Sequence, residues 1–218
     1  MRIEYLGHAC FRVAGDAGKA LVFDPYEPGC FGGALTYAEP GVSADVVFLS
    51  HDHADHGASG QISGSPKVVG EAGCGEHDGV SWVGVETCHD ASGGAERGSN
   101  VIFNVTMDGV RLCHLGDLGH PLEAGQCASI GGVDVLFAPV GGHFTIDAGT
   151  AVEVARQLDP GILVPMHFKT DKVGFPIAPL DDFTAVSPWP VEDMGRAAEF
   201  AAGELPEATA VWIMEPSR

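Results

Sequence analysis

No stretch of this chain approaches the roughly 18 consecutive apolar residues that a membrane-spanning helix needs, although 45% of its 218 residues are hydrophobic. The apolar residues are therefore expected in a buried core. Basic residues are scarce: 11 Lys and Arg stand against 30 Asp and Glu, a formal net charge of −19. A surface of that sign repels phosphate backbones, which argues against long nucleic acids as partners. The opening MRIEYLGHAC has neither a basic n-region nor an apolar h-region, so it does not read as a signal peptide. The six cysteines, Cys10, Cys30, Cys74, Cys88, Cys113 and Cys127, form no C-x-x-C pair. Such spacing suits reduced, mostly buried thiols and a cytoplasmic setting. No fixed-period repeat, low-complexity tract or linker interrupts the chain, so residues 1–218 are expected to form a single domain.

Short apolar runs separated by Gly, Asp and Pro fill most of the length. Strands are expected at RIEYLG, CFRVAG, ALVFDP, DVVFLS, KVVGE, SWVGVET, NVIFNVT, VRLCHLG, DVLFAPV, GILVPMH and AVWIME. The dipeptide Asp108–Gly109 between two of them is a hairpin signal. Helical patterns are fewer: a short one after His56, one near Leu122–Ile130, one at Thr150–Leu158 and one at Val191–Ala202. In the third, Ala151, Val154, Ala155 and Leu158 share a face, and Asp159–Pro160–Gly161 ends it. Many strands in mixed order with few helices predict an α+β fold, an α/β sandwich of two sheets with helices outside. Glu27–Gly41 and Lys172–Pro190 are the least regular stretches, and loops of that length usually serve function.

The densest chemistry lies in SHDHADHG, where His51, His53, Asp55 and His56 read H-x-H-x-D-H. Side chains at i and i+2 past a strand end share a face, so His51 and His53 can converge on one cation. Asp55 and His56 follow in the turn and can face a second position. Imidazole with carboxylate suits zinc, manganese or iron better than calcium or magnesium. Four donors within six residues fit poorly around one tetrahedral ion, so the spacing predicts two ions about 3.5–4 Å apart. His89, Asp117 and His167 each follow an apolar strand and are the further candidates. Cys88 ranks below its neighbour His89 as a ligand. His114 is ambiguous, since it either orients Asp117 or stands in for His89. His77 and His120 read as ordinary loop residues.

The segments YLGHACF, VFDP, SHDHADH, CHDASGG, HLGDLGH, PVGGHFTID and PMHFKTD together resemble the metallo-β-lactamase-fold hydrolase superfamily. The L-ascorbate-6-phosphate lactonase-like branch is the most similar, and the likeness runs over nearly the whole chain. The resemblance implies a four-layer αββα fold with two mixed sheets packed face to face. It also implies that His51, His53 and His89 hold one divalent ion, most often zinc, with manganese or iron as the other candidates. Asp55, His56 and His167 would hold a second, with Asp117 between the two. Asp24 matches an aspartate that hydrogen-bonds a ligand histidine, which fixes the imidazole's orientation. His8 and His143 match positions near the site and are expected to line the substrate pocket.

The expected activity is hydrolysis of a small lactone, ester or phosphodiester, with Asp55 as the base that holds and moves a proton. An anionic small-molecule substrate fits a metal-bearing pocket, and a homo-oligomer is left open. Two rival classes stand beside it: an iron-dependent redox enzyme on the same fold, and a protein that binds metal without catalysis. Diiron oxygen reducers of similar fold carry a carboxylate where His53 stands. No G-x-S-x-G elbow is present for serine catalysis.

Overall fold

Alternation along the first strands explains how the sandwich closes. In the computed structural model, which describes residues 1–218, β1 (Arg2–Gly7) and β2 (Cys10–Ala14) form a hairpin, followed by β3 (Ala20–Phe23). A single turn, α1 (Cys30–Gly33), lies in the long loop before β4 (Val46–Phe48), and β5 (Lys67–Val69) follows. Ile3, Tyr5, Phe11, Val13, Leu21, Phe23, Val46 and Phe48 point inward into a shared core of 49 buried residues. Leu6, Cys10, Val22 and Val47 point the other way, into a second cluster of 12. This is the period-2 pattern of a strand buried on both faces. The second cluster is roofed by Tyr26, Leu35, Tyr37, Ile62, Val173 and Ile177. Both irregular stretches of the sequence therefore serve as cover for this sheet.

The second sheet begins with antiparallel β6 (Gly73–His77), β7 (Val80–Cys88), β8 (Ser99–Met107) and β9 (Val110–His114). The β8–β9 turn has both central residues at positive φ, Asp108 at 51° and Gly109 at 79°. That is the signature of a type I′ hairpin, and it accounts for the Asp-Gly pair. Helices α2 (Ala124–Ile130) and α3 (Ala148–Leu158) flank β10 (Val135–Pro139) along the chain, and β11 (Ile162–Met166) follows. A short helix α4 (Leu180–Thr184), then β12 (Val191–Gly195), β13 (Ala197–Glu199) and β14 (Ala210–Met214), complete the chain. The strand orders are β13-β1-β2-β3-β4-β5 and β12-β14-β11-β10-β9-β8-β7-β6. Both sheets are mixed, as the sandwich reading requires: β3, β4 and β5 run parallel, as do β9, β10, β11 and β14.

Two local expectations need correction. Val191–Ala202 is not a helix but two edge strands, with β12 pairing β14 and β13 pairing β1. Gly195 at φ 62° turns the chain between them, and pairing to two exposed sheet edges outweighs the helix preference of its Ala, Glu and Met. The helix expected after His56 is only a 3₁₀ turn, Ser59–Gln61. Helix α3 starts two residues early, because the Asp147 side chain accepts the Thr150 N–H and caps it there.

Parallel pairing sets the level of the strand ends. Phe23 lies opposite Phe48, and Pro139 opposite Met166. Asp24, His51, His89, Asp117 and His167 all follow the C-terminal ends of their strands, the edge where open α/β sheets commonly bind ligands. No helix is long and apolar enough to cross a membrane.

Aromatic rings join the two sheets above this edge: Phe137 lies 4.4 Å from Phe11 and 5.9 Å from Phe23, centroid to centroid, and is fully buried. Phe137→Ala removes that bridge and leaves a cavity, so the unfolding free energy should fall by about 3–5 kcal/mol. Denaturant titration with unchanged slope checks this.

Candidate metal centre

Asp24 is the residue on which the cluster hangs. It is buried and follows β3 at φ 42°. One carboxylate oxygen accepts the Ser50 N–H at 2.7 Å, and the other accepts the Ser50 hydroxyl at 2.6 Å. The second oxygen also lies 2.8 Å from His56 Nδ1. Ser50 Oγ in turn lies 2.9 Å from His51 Nδ1. With its own proton given to Asp24, this hydroxyl accepts from the ring. Asp24 thus orients His56 directly and His51 through Ser50, leaving both Nε2 atoms free to turn inward.

Asp117 occupies the centre. His89 Nε2 lies 3.1 Å from its Oδ2, His56 Nε2 3.2 Å and His167 Nε2 3.5 Å. The Asn100 side chain fixes it by accepting the Asp117 N–H at 2.9 Å. The donor atoms fall into two poles. Those of His51, His53 and His89 lie within 4.8 Å of one another, as do those of His8, Asp55, His56 and His167. A third such set, His51, His56 and Asp117, straddles the two.

The residues fit a cation. His56 Nε2, Asp117 Oδ1 and the Nδ1 atoms of His8, His89 and His167 are buried without a hydrogen-bond partner. Of these, His56 Nε2 and Asp117 Oδ1 belong to residues of one donor set, and leaving them unsatisfied is costly unless something else partners them. Burial lowers the pKa of His51 and of His167 to about 3, which keeps both rings neutral. Burial works against ionised Asp55 and Asp117, but the surrounding imidazoles prevail and hold both carboxyls below their usual range. Burial also opposes a charged His56, yet Asp117, Asp55 and Asp24 together raise its pKa well above normal. The site therefore sets neutral His51 and His167 and ionised carboxylates around one charged ring, His56, whose proton a divalent metal would have to displace.

His8 and His114 sit differently from what the sequence suggested. His8, in the β1–β2 turn at φ 57°, is fully buried and does not line the cavity. Its Nε2 lies 3.1 Å from Asp55 Oδ2, and its carbonyl accepts the Tyr5 hydroxyl and the His167 N–H. His114 neither touches the donor sets nor orients Asp117. Its Nδ1 accepts the Gly116 N–H, its Nε2 lies 2.9 Å from the Ala9 carbonyl, and its ring stacks on Phe23. Both ring nitrogens are spent on the backbone, so it cannot replace His89. His143 is exposed, with its ring against Phe144, and is absent from the cavity wall.

A cavity of about 270 Å³ opens onto the cluster. His53, Asp55, His89, Asp117 and His167 form its floor, while Phe31, Arg97, Phe144 and Phe175 form the rest of its lining. Phe31 and Phe175 lie in the two irregular stretches whose length suggested function, whereas Arg97 and Phe144 were not singled out from sequence. The loop carrying both His89 and Arg97 is tied by Asp90, whose two oxygens accept the N–H groups of Ser92, Gly94, Glu96 and Arg97. Gly119 passes so close to this loop that a Cβ there would meet the backbone of His89 and Asp90.

Two mixed sheets packed face to face, with a His/Asp cluster at the strands' C-terminal edge, define a protein of metallo-β-lactamase type. The beta-lactamase superfamily domain profile matches residues 2–167. A UPF0173 metal-dependent hydrolase of Methanoculleus marisnigri is 33% identical over 193 residues, 78% of this chain and 82% of the relative. A crystal structure from Thermotoga maritima, of a candidate Zn-dependent hydrolase of the metallo-beta-lactamase superfamily, superposes with a TM-score of 0.80 at 35% identity, covering 99% of each chain. A metallo hydrolase from Ignicoccus hospitalis shares the fold, at TM-score 0.67 and 20% identity, over 100% of this chain and 96% of that one. The chain belongs to the beta-lactamase superfamily, among its UPF0173 metal-dependent hydrolases.

Two outcomes follow. Asp90→Ala frees four N–H groups and loosens the His89 loop. Metal stoichiometry after dialysis should fall while the far-UV circular dichroism is retained. A divalent ion must also displace the proton that the metal-free site draws to His56. Metal affinity in a competing-chelator titration should therefore weaken by up to about tenfold per pH unit as pH falls below the raised His56 value. Calorimetry in buffers of different ionisation enthalpy should register the released proton.

Proposed function

We propose that the protein hydrolyses a small lactone, ester or phosphodiester with two divalent ions, zinc by its donor chemistry, with manganese or iron as alternatives. His51, His53 and His89 would hold one ion. Asp55, His56 and His167 would hold the other, with Asp117 shared. The observation that carries this reading is the pair of donor sets joined by a third, His51, His56 and Asp117, in which His56 Nε2 and Asp117 Oδ1 lack a hydrogen-bond partner. Bound ions of this kind supply an acidified water and polarise the substrate's oxygen.

The chain's own residues do the rest. Asp55 lines the cavity and stays ionised, so it can take a proton from water and later return it to the leaving oxygen. His8 holds Asp55 through the 3.1 Å contact and is itself fixed by Tyr5 and His167. That makes His8 a positioning residue for the base rather than part of the pocket wall. Asp24 and Ser50 keep His51 and His56 in register. The cavity, about 270 Å³, falls just below the usual range for ligand pockets, about 300–1,000 Å³, so it suits a small molecule and not a polymer. The acidic surface supports the same exclusion of long nucleic acids.

His53 at the cavity floor favours hydrolysis over the redox reading, since it stands where similar diiron oxygen reducers carry a carboxylate. The test is metal removal and restoration on a panel of lactones, esters and phosphodiesters. Chelation should abolish turnover, and zinc or manganese should restore it. His51→Ala should lose both metal, by elemental analysis, and at least 100-fold in kcat/KM, on the order expected when a metal ligand is lost. Iron-dependent oxygen consumption without hydrolysis would replace this reading. A metal-replete protein inert on the whole panel would leave a binding role.

A further inference from the structure

Arg97 is the only basic residue lining the cavity of a chain that carries 30 acidic residues. Its backbone N–H is committed to Asp90, but its guanidinium donates no hydrogen bond to any protein acceptor. The nearest carboxylate, on the exposed Glu96, is 3.6 Å away, and the Arg97 side chain is 31% exposed. The guanidinium carbon lies 5.5 Å from the Phe144 ring centroid, so the cation is steadied on an aromatic face and paired only with a solvent-exposed carboxylate, without a hydrogen bond. A rigid fork of five unused donors at a cavity wall is suited to a carboxylate or phosphate.

The remaining wall is aromatic. The Phe31 and Phe175 centroids lie 5.8 Å apart, and those of Phe175 and Phe144 also 5.8 Å, both edge to face. The three rings form one arc, and Arg97 closes it at the Phe144 end. Phe31 is 56% exposed and sits at φ 51° in α1, a left-handed conformation unfavourable for a bulky side chain. An aromatic ring held at the mouth at a backbone cost, when it could have been buried, is explained by an apolar group that it covers.

We infer that the substrate is a small ester or lactone bearing a carboxylate or phosphate remote from its scissile bond, with Arg97 binding that anion and the Phe31–Phe175–Phe144 arc covering the apolar part between. This rests on the hydrolase reading above for the reaction, and on the cavity alone for the binding. Hydrolysis adds one water across the acyl C–O bond. The acyl carbon gains the water's oxygen, the leaving oxygen gains a proton, and the new carboxylic acid releases one. The product carries one more negative charge than the substrate.

The test uses zinc-loaded protein and Arg97→Gln and Arg97→Lys variants whose folding is checked by thermal melting. Turnover is compared on 4-acetoxybenzoate and phenyl acetate. Binding of benzoate, phenyl phosphate and benzyl alcohol is measured by calorimetry. The expected result is a kcat/KM preference for the anionic ester of about tenfold or more, set by KM, which collapses toward one in Arg97→Gln and is partly kept in Arg97→Lys. Benzoate or phenyl phosphate should bind about tenfold more weakly to Arg97→Gln, and whichever of the two loses more identifies the anion. Phe175→Ala should weaken benzoate and benzyl alcohol together. Unchanged benzoate and phenyl phosphate affinities in Arg97→Gln would place the anions on the metals alone and overturn the inference. Weakened anion binding with no ester turned over by the wild type would uphold the anion subsite and sink the hydrolase reading instead.

Discussion

Buried carboxylates surrounded by imidazoles need a cation, and this need organises the C-terminal edge of the sandwich. Asp55 and Asp117 are almost wholly removed from water, where an isolated carboxylate would be expelled or protonated. His51 and His167 are too buried to charge freely, whereas the carboxylates hold His56 protonated. One proton at His56 is a poor match for two anions. A divalent ion is a better match: the donor atoms of His51, His53 and His89, of His8, Asp55, His56 and His167, and of His51, His56 and Asp117 gather in sets within 4.8 Å.

The fold supplies this convergence cheaply. Parallel pairing aligns the ends of β3 with β4 and of β10 with β11, so Asp24, His51 and His167 emerge at one edge without long excursions of the chain. Asp24 and Ser50 then convert backbone placement into ring orientation. Strain is concentrated in the same place: His8, Asp24 and His167 all adopt positive φ. Each is over-determined by hydrogen bonds or packing, which is how such conformations persist at functional sites.

The cavity rim is built from different material. The rim comes from four segments: α1 gives Phe31, the Asp90-tied loop gives Arg97, and the segments after β10 and β11 give Phe144 and Phe175. Lys169 Nζ donates to the Phe175 carbonyl at 2.7 Å and steadies that last segment. Loops on a fixed scaffold can change their side chains without disturbing the metal donors below, so one fold can serve different substrates.

Much of the fold and the metal set could be read from the chain because both are written in local patterns. Period-2 alternation marked the strands, Asp108–Gly109 marked a hairpin, and H-x-H-x-D-H placed four donors within one turn of a strand end. His89, Asp117 and His167 were legible for a related reason, since each follows an apolar run whose end points to the same edge. Long-range pairing decided the rest. Val191–Ala202 has helix-forming residues, but two open sheet edges claimed it. His8 reads as a pocket residue until β1 and β2 fold it beneath Asp55, and His114 reads as orienting Asp117 or replacing His89 until Ala9, Gly116 and Phe23 take up its ring. Arg97 and the three phenylalanines are ordinary loop residues in the sequence, 31, 97, 144 and 175 along the chain. Only packing brings them around one cavity, because side chains that meet through loop geometry leave no periodic trace in the sequence.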